Sequence, residues 1–133
     1  MQYWKQLVKH GENNGDCFRT CIACLLDKSP EEVPHFFDKS NDKPYEILRT
    51  WLRNQGLEIA FVPIWDTDVL QITAPDIYYI LCGRSSDGEN HAVIGCNGKI
   101  VHDPSWVDVG ISQPLDNGEY YVAFITAGQT TLV

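Results

Sequence analysis

The fold is decided by residues 13–26, which read Asn13-Asn14-Gly15-Asp16-Cys17-Phe18-Arg19-Thr20-Cys21-Ile22-Ala23-Cys24-Leu25-Leu26. Gly15 permits a tight turn, and the residues after it predict a helix over 16–28. Apolar residues cover well over half of the helix circumference, which is typical of a central, buried helix. Asn14 or Asp16 can cap this helix by accepting a backbone N–H of its first turn.

Cys17 falls in the first turn of this predicted helix. The unpaired N–H groups and the positive end of the helix dipole there favour a thiolate over a thiol. Cys17 is therefore a candidate nucleophile. The alternative is a structural role, because cysteine is often buried in protein cores.

Composition limits the class of protein. The 133 residues fit one domain, and we predict a single domain over 1–133. The net charge of −8 disfavours nucleic acid and anionic membranes as partners. The sequence contains no run of about 18 apolar residues, so no membrane span is predicted, and residues 1–10 do not resemble a secretory signal. The odd count of five cysteines favours buried thiols in a reducing cytoplasm over a disulfide framework.

The remaining elements predict an α+β domain. Ser29-Pro30-Glu31-Glu32 is a typical start of a short helix, and a further helix is predicted from Pro44 to about Gln55. Residues 65–71 are predicted to be a loop, and Asn97-Gly98 a hairpin turn. The strands are predicted over 57–62, 77–82, 91–96, 99–102 and 119–126. Helices first and antiparallel strands second imply a helical half packed on a sheet, with a cleft between them.

A nucleophilic thiol needs a base and a group that orients the base, and His91 and Asp103 are the candidates. With a two-residue turn, His91 lies opposite position 104, and Asp103 points to the other face of the hairpin. A three-residue loop over 96–98 or a β-bulge shifts the pairing and sets Asp103 directly opposite His91. We predict this shifted register. The alternatives are a structural strand histidine and a turn aspartate before Pro104.

These residues carry a resemblance to a known family. A cysteine that opens an apolar helix, then His-Ala-Val-Ile-Gly at 91–95 and Ile-Val-His-Asp-Pro-Ser at 100–105, resembles the papain-like cysteine peptidase superfamily. The pattern is nearest to the bacteriocin-processing (double-glycine) peptidases, and it also resembles small papain-like proteins encoded by bacteriophages. The resemblance implies that Cys17 is the nucleophile, His91 the general base and acid, and Asp103 the orienting residue.

The resemblance also implies an oxyanion-binding Gln six positions before the cysteine, where this chain has Gly11. We expect Asn13 or Asn14 to supply that amide together with the Cys17 backbone N–H. The implied function is a cytoplasmic hydrolase (in the host cytoplasm, if phage-encoded) that cleaves a peptide or isopeptide bond without a cofactor. Transfer to an amine, or an inactive binding module that sequesters a host protein, are the alternatives.

The spacing of Cys17, Cys21 and Cys24 matches an iron–sulfur motif, but that motif belongs on a loop of a much larger barrel, whereas here the three residues lie on a predicted helix. A zinc site on Cys17, Cys21 and His91 fits no common structural zinc spacing. His10 and His35 are expected to be surface or packing residues, and His102 a surface residue or one that lies behind the catalytic residues. Three of the four tryptophans are expected in the core or the cleft wall, and one of these, Trp106, is expected to line the substrate groove; the three are Trp51, Trp65 and Trp106.

Overall fold

The computed structural model describes residues 1–9, 13–72 and 76–128. It is an α+β structure with two α-helices and a five-stranded antiparallel sheet, as predicted. The helices are α1 (Cys17–Leu25) and α2 (Pro44–Asn54). The strands are β1 (Leu57–Ile64), β2 (Tyr78–Arg84), β3 (Asn90–Cys96), β4 (Lys99–His102) and β5 (Tyr120–Ala127). Their order in the sheet is β1-β5-β2-β3-β4.

Helix α1 is the central helix of the fold, and its predicted burial is confirmed. Its buried residues are Phe18, Thr20, Cys21, Ile22, Ala23 and Cys24. The helix packs against β3 and β2, and the Cys21 thiol donates a 3.7 Å hydrogen bond to the Ala92 carbonyl. This packing fixes the amino end of α1 against the start of β3, which is where the candidate residues lie.

Helix α1 ends at Leu25, three residues before the predicted end. Asp27 adopts a positive φ of 54°, which a right-handed helix cannot include. The Lys28 N–H then bonds back to the Ala23 carbonyl at 3.0 Å and closes the last turn. The sequence has no glycine at this position to mark the helix end.

Two short segments differ from their predicted form. The helix start at Ser29 is present with its capping box, but it continues only as a 3₁₀ turn over Pro30–Glu32. The predicted loop over 65–71 contains a 3₁₀ helix over Thr67–Ile72. Trp65 lies beside this helix and is 75% exposed, so its prediction as a core or cleft residue is wrong, whereas Trp51 packs against the core.

The β3–β4 hairpin has the predicted two-residue turn. Asn97 and Gly98 both have positive φ, at 50° and 81°, as a type I′ turn requires. Cys96 pairs with Lys99 and Gly95 with Ile100, after which a bulge shifts the register.

The bulge overturns the predicted pairing of His91 with Asp103. It adds Val101 to β4, so that Ile94 pairs with His102. This shift is opposite in sense to the predicted one, and Asp103 lies one residue beyond the end of β4. If the pairing continued, Asp103 would face Val93, which shares a face of β3 with His91. The bulge therefore changes the face to which Asp103 belongs without placing it opposite His91.

Over the residues that the structure describes, neither α1 nor α2 has the length and apolar character that crossing a bilayer requires.

Candidate active site

Cys17 is the first residue of α1, and its side chain is half-buried. The predicted cap of the helix is wrong, because neither candidate side chain makes it. The Asp16 carboxylate makes no capping hydrogen bond, and the Asn14 amide donates instead to the Phe37 carbonyl at 2.6 Å. The first-turn N–H groups of α1 are therefore not covered by the side chain of the N-cap residue.

His91 and Asp103 are in direct contact. The His91 Nε2 lies 2.7 Å from the Asp103 Oδ1, and both side chains are buried. The Cys17 side chain lies close enough to His91 to raise the pKa of the ring, and both residues line the same two cavities. Because Nε2 is engaged by Asp103, the Nδ1 atom is the ring nitrogen left for the thiol. Cys17, His91 and Asp103 thus form one connected chain.

Burial lowers the pKa of His91, but its partners outweigh that effect. The hydrogen bond to Asp103 and the nearby Cys17 side chain raise the pKa to about 9. The imidazole is therefore protonated at neutral pH. An imidazolium beside a thiol is an arrangement in which the thiol can act as the nucleophile and the ring as the acid.

Asp103 also organises the loop after β4. Its Oδ2 accepts hydrogen bonds from the N–H groups of Val109 and Gly110, and its Oδ1 accepts one from Ser105. Burial raises the pKa of Asp103, but the hydrogen bonds from His91, Gly110 and Ser105 lower it to about 2. Asp103 is therefore ionised at neutral pH, and it fixes His91 and the adjacent loop together.

Two cavities meet at Cys17 and His91. The first, here called the aromatic cavity, measures about 560 Å³ and is lined by Phe18, Phe37, Tyr45, Phe61 and Tyr121. The second, the polar cavity, measures about 310 Å³ and is lined by Gln6, Lys9, Asp87, Glu89, Ser105 and Trp106. Four residues line both cavities: Gly15, Cys17, Asn90 and His91. The Cys17 thiol therefore has a cavity on each side that can hold a bound molecule.

The residues predicted to bind an oxyanion or to line the groove have different surroundings in the structure. The Asn13 amide donates to the Asp38 carboxylate at 2.9 Å, and Asn13 lines neither cavity. Asn14 lines the aromatic cavity, although its side chain is bound to the Phe37 carbonyl. Trp106 lines the polar cavity and is 63% exposed. Gly11 and His10, to which sequence predictions also applied, lie outside the described residues.

Gln6 is a site residue that the sequence prediction missed. Its side chain is buried and lines the polar cavity with Cys17 and His91. Its Nε2 donates to the Val8 carbonyl at 2.7 Å, which uses one of its two N–H groups. The signal in the sequence was weak: Gln6 is the nearest glutamine before Cys17, but it lies eleven positions away instead of six.

The segment that carries Gln6 is held from two sides. On one side, the Leu7 and Val8 N–H groups donate to the Asp16 carboxylate at 3.2 and 2.9 Å. On the other, the Gln6 N–H donates to the Pro104 carbonyl, and the Trp106 indole donates to the Gln6 carbonyl. Gln6 is thus fixed between the residue before Cys17 and the loop after β4.

Asp16 is the buried anchor of this arrangement. Its side chain is fully buried, and Arg19 donates to it through Nε and Nη2 at 3.0 and 2.8 Å. A buried carboxylate is stable only when it is paired and hydrogen-bonded, and Asp16 has four such donors. Its position next to Cys17 made it a plausible helix cap in the sequence, but it serves the N-terminal segment instead.

Among the described residues, most of the other thiols and imidazoles are either packed in the interior or bonded to the backbone. No disulfide joins the five cysteines. Burial raises the pKa of Cys21 well above its ordinary value and that of Cys82 to about 12. His102 lies 2.6 Å from the Trp4 carbonyl through Nε2, and His35 lies 2.8 Å from the Asn14 carbonyl. Within the described residues, no three His, Cys, Asp or Glu side chains are arranged to hold a metal ion.

Comparison with protein-family models, with curated proteins and with solved structures finds no match for this chain. The interpretation of the site therefore depends on its own residues and geometry.

Proposed function

We propose that the protein is a papain-like cysteine hydrolase that cleaves an amide bond, either peptide or isopeptide. The observation that carries the proposal is the connected chain from Cys17 through His91 to Asp103, placed where two cavities meet. The order of the elements, a cysteine-bearing helix packed on an antiparallel sheet, agrees with the family that the sequence resembles.

The mechanism is acyl transfer through a thioester. The Cys17 thiolate attacks the carbonyl carbon, and the carbonyl oxygen becomes an oxyanion. His91, protonated at Nδ1, gives its proton to the leaving amine as the C–N bond breaks. Water then attacks the thioester, with His91 as base, and the carboxylic acid and the thiolate are released. Asp103 holds the ring and keeps the imidazolium favourable throughout.

Gln6 is the residue we propose for the oxyanion site, together with the Cys17 backbone N–H. Its carboxamide lines the same cavity as Cys17, and one of its N–H groups is not used by the Val8 carbonyl. This assignment replaces the expected role of Asn13, whose side chain is directed to Asp38. An oxyanion donor of this kind typically accelerates acyl transfer about 10²–10³-fold.

The reactivity of Cys17 tests the proposal. Folded protein is treated with iodoacetamide at neutral pH, and the modified residue is identified by mass spectrometry of its peptides. We expect Cys17 to react fastest of the five thiols, and His91→Gln to slow it about tenfold or more because the imidazolium partner is lost. His102→Gln replaces a second histidine of the same hairpin, at the last residue of β4. It serves as the matched control and should leave the rate unchanged.

Two results of the iodoacetamide experiment would contradict the proposal. If Cys17 reacts no faster than the half-buried Cys96 thiol, the protein is not a cysteine hydrolase. Modification of all five thiols only after denaturation would favour a binding module that uses the same cleft.

A further inference from the structure

The aromatic cavity differs chemically from the polar cavity. Among its lining residues, Cys17 and His91 are the proposed nucleophile and base, and the remaining side chains are aromatic, aliphatic, thiol or amide. The polar cavity contains Lys9, Asp87 and Glu89. The two sides of the thiol therefore offer different environments to a bound substrate.

Four rings of the aromatic cavity contact one another in a closed cycle. Phe18 contacts Phe37 and Phe61, with ring centroids 5.5 and 6.0 Å apart. Tyr45 contacts the same two rings at 5.4 and 5.8 Å. The four residues come from α1, the segment before α2, α2 and β1, so they join separate elements into one wall. The wall is consequently formed by the fold and not by a single loop.

The size of the aromatic cavity indicates what it can hold. Its volume of about 560 Å³ lies within the range of about 300–1,000 Å³ that is typical of small-molecule sites. Its walls are mainly aromatic, so a cavity of this size can accommodate a large apolar side chain.

We propose that the aromatic cavity binds a large apolar side chain, preferably aromatic, on the acyl side of the amide bond cleaved at Cys17. This inference rests on the proposed function and names its substrate class. Aromatic walls favour aromatic side chains because ring–ring contacts add to the gain from burial of apolar surface. Asn90 at the shared edge of the two cavities can bind the substrate backbone through its amide.

The test compares acetyl-amino-acid chloromethyl ketones that carry Phe, Ala or Gly, with the second-order rate of Cys17 alkylation as the readout. We expect the Phe reagent to react about tenfold or more faster than the Gly reagent, in line with burial of one aromatic ring. Tyr45→Ser should reduce this ratio, and it is a surface substitution because Tyr45 is 56% exposed. Tyr78→Ser is the matched control: Tyr78 is 43% exposed, lines neither cavity, and should leave the ratio unchanged.

An equilibrium measurement separates this inference from the proposed function. N-acetylphenylalaninamide and N-acetylglycinamide are titrated into Cys17→Ala and followed by NMR of the aromatic side chains. Binding of the Phe compound alone, in a protein whose Cys17 proves unreactive to iodoacetamide, would support the cavity and contradict the hydrolase. Equal rates for the Phe and Gly reagents, or equal binding of the two amides, would overturn the inference.

Discussion

Two regions fix side chains beside Cys17, and they do so by different means. The β3–β4 hairpin carries His91 in β3 and, twelve residues later, Asp103 one residue beyond β4; the two strands pair through backbone hydrogen bonds with one bulge. The N-terminal segment, residues 4–8, supplies Gln6 and contains no helix or strand. It is held by hydrogen bonds to Asp16 and to the loop after β4.

The difference lies in where the backbone hydrogen bonds go. In the hairpin, the backbone groups pair with each other, so the His91 and Asp103 side chains can bond to one another. In the N-terminal segment, the backbone groups of Leu7 and Val8 depend on the Asp16 carboxylate, and the Lys5 ammonium donates to the Asp103 and Ser105 carbonyls. Side-chain chemistry thus replaces secondary structure as the source of order.

The largest expected effect is the loss of the Asp16 carboxylate. Asp16→Ala leaves the Arg19 guanidinium without its carboxylate and two backbone N–H groups without acceptors, so we expect the free energy of unfolding to fall by about 3–5 kcal/mol. Chemical denaturation measures this change. The exposed Asp42→Ala is the control and should change stability by less than about 0.5 kcal/mol.

The same variant distinguishes the two regions. Because Asp16 does not contact the hairpin pair, the pKa of His91 in folded Asp16→Ala should stay near the value of about 9 that Asp103 and Cys17 impose. NMR titration of the imidazole measures it. A His91 pKa that returned to its ordinary value in Asp16→Ala would show that the two regions are not independent.

The sequence predicted the hairpin region because its signals are local. Asn97-Gly98 marks the turn, and alternation of apolar residues marks the strands, so His91 and Asp103 had to lie near each other. The direction of the register shift could not be predicted, because the bulge at Val101 is specified by no residue type in β4. Without a shift, Asp103 would point to the other face of the hairpin; the observed shift, although opposite to the predicted one, moves Asp103 to the face of His91.

The N-terminal region could not be predicted for the opposite reason. Its contacts join residues that are far apart in sequence, such as Trp106 to Gln6, which are 100 positions apart. No periodicity or turn motif records such a contact. Asp16 illustrates the difficulty, since its position before α1 is typical of a helix cap, whereas tertiary structure assigns its carboxylate to Leu7, Val8 and Arg19.

Substitution of Gln6 tests whether the N-terminal segment contributes to the reaction through oxyanion binding. Acyl transfer from p-nitrophenyl acetate passes through an oxyanion, whereas alkylation by iodoacetamide does not. We therefore expect Gln6→Ala to slow release of p-nitrophenol about 10²-fold or more and to leave the alkylation rate of Cys17 within about twofold. His91→Gln should slow both reactions. The exposed Gln2→Ala is the control for the loss of a glutamine.

The result that would contradict this role is an equal change in both reactions. Loss of both would mean that Gln6 supports the position of Cys17 and does not bind the oxyanion. Retention of both would remove Gln6 from the mechanism and leave the Cys17 backbone N–H as the proposed donor.

A further expected effect concerns the pH dependence of stability in the hairpin region. The pKa of His91 is about 9 in the folded protein and about 6.5 in an unfolded chain, so folding favours the protonated ring. This contribution is fully present below pH about 6.5 and is lost as the pH rises through 9. We expect it to supply about 3 kcal/mol at pH 6, measured as the loss of unfolding free energy between pH 6 and 10 in the wild type beyond that in His91→Gln. Because the raised pKa depends on Asp103 and Cys17, the difference should shrink in Cys17→Ser, in which the thiolate charge is absent. If wild type and His91→Gln lost the same stability over this range, the pKa of His91 would not be raised by folding, and the hairpin would not stabilise the protonated ring.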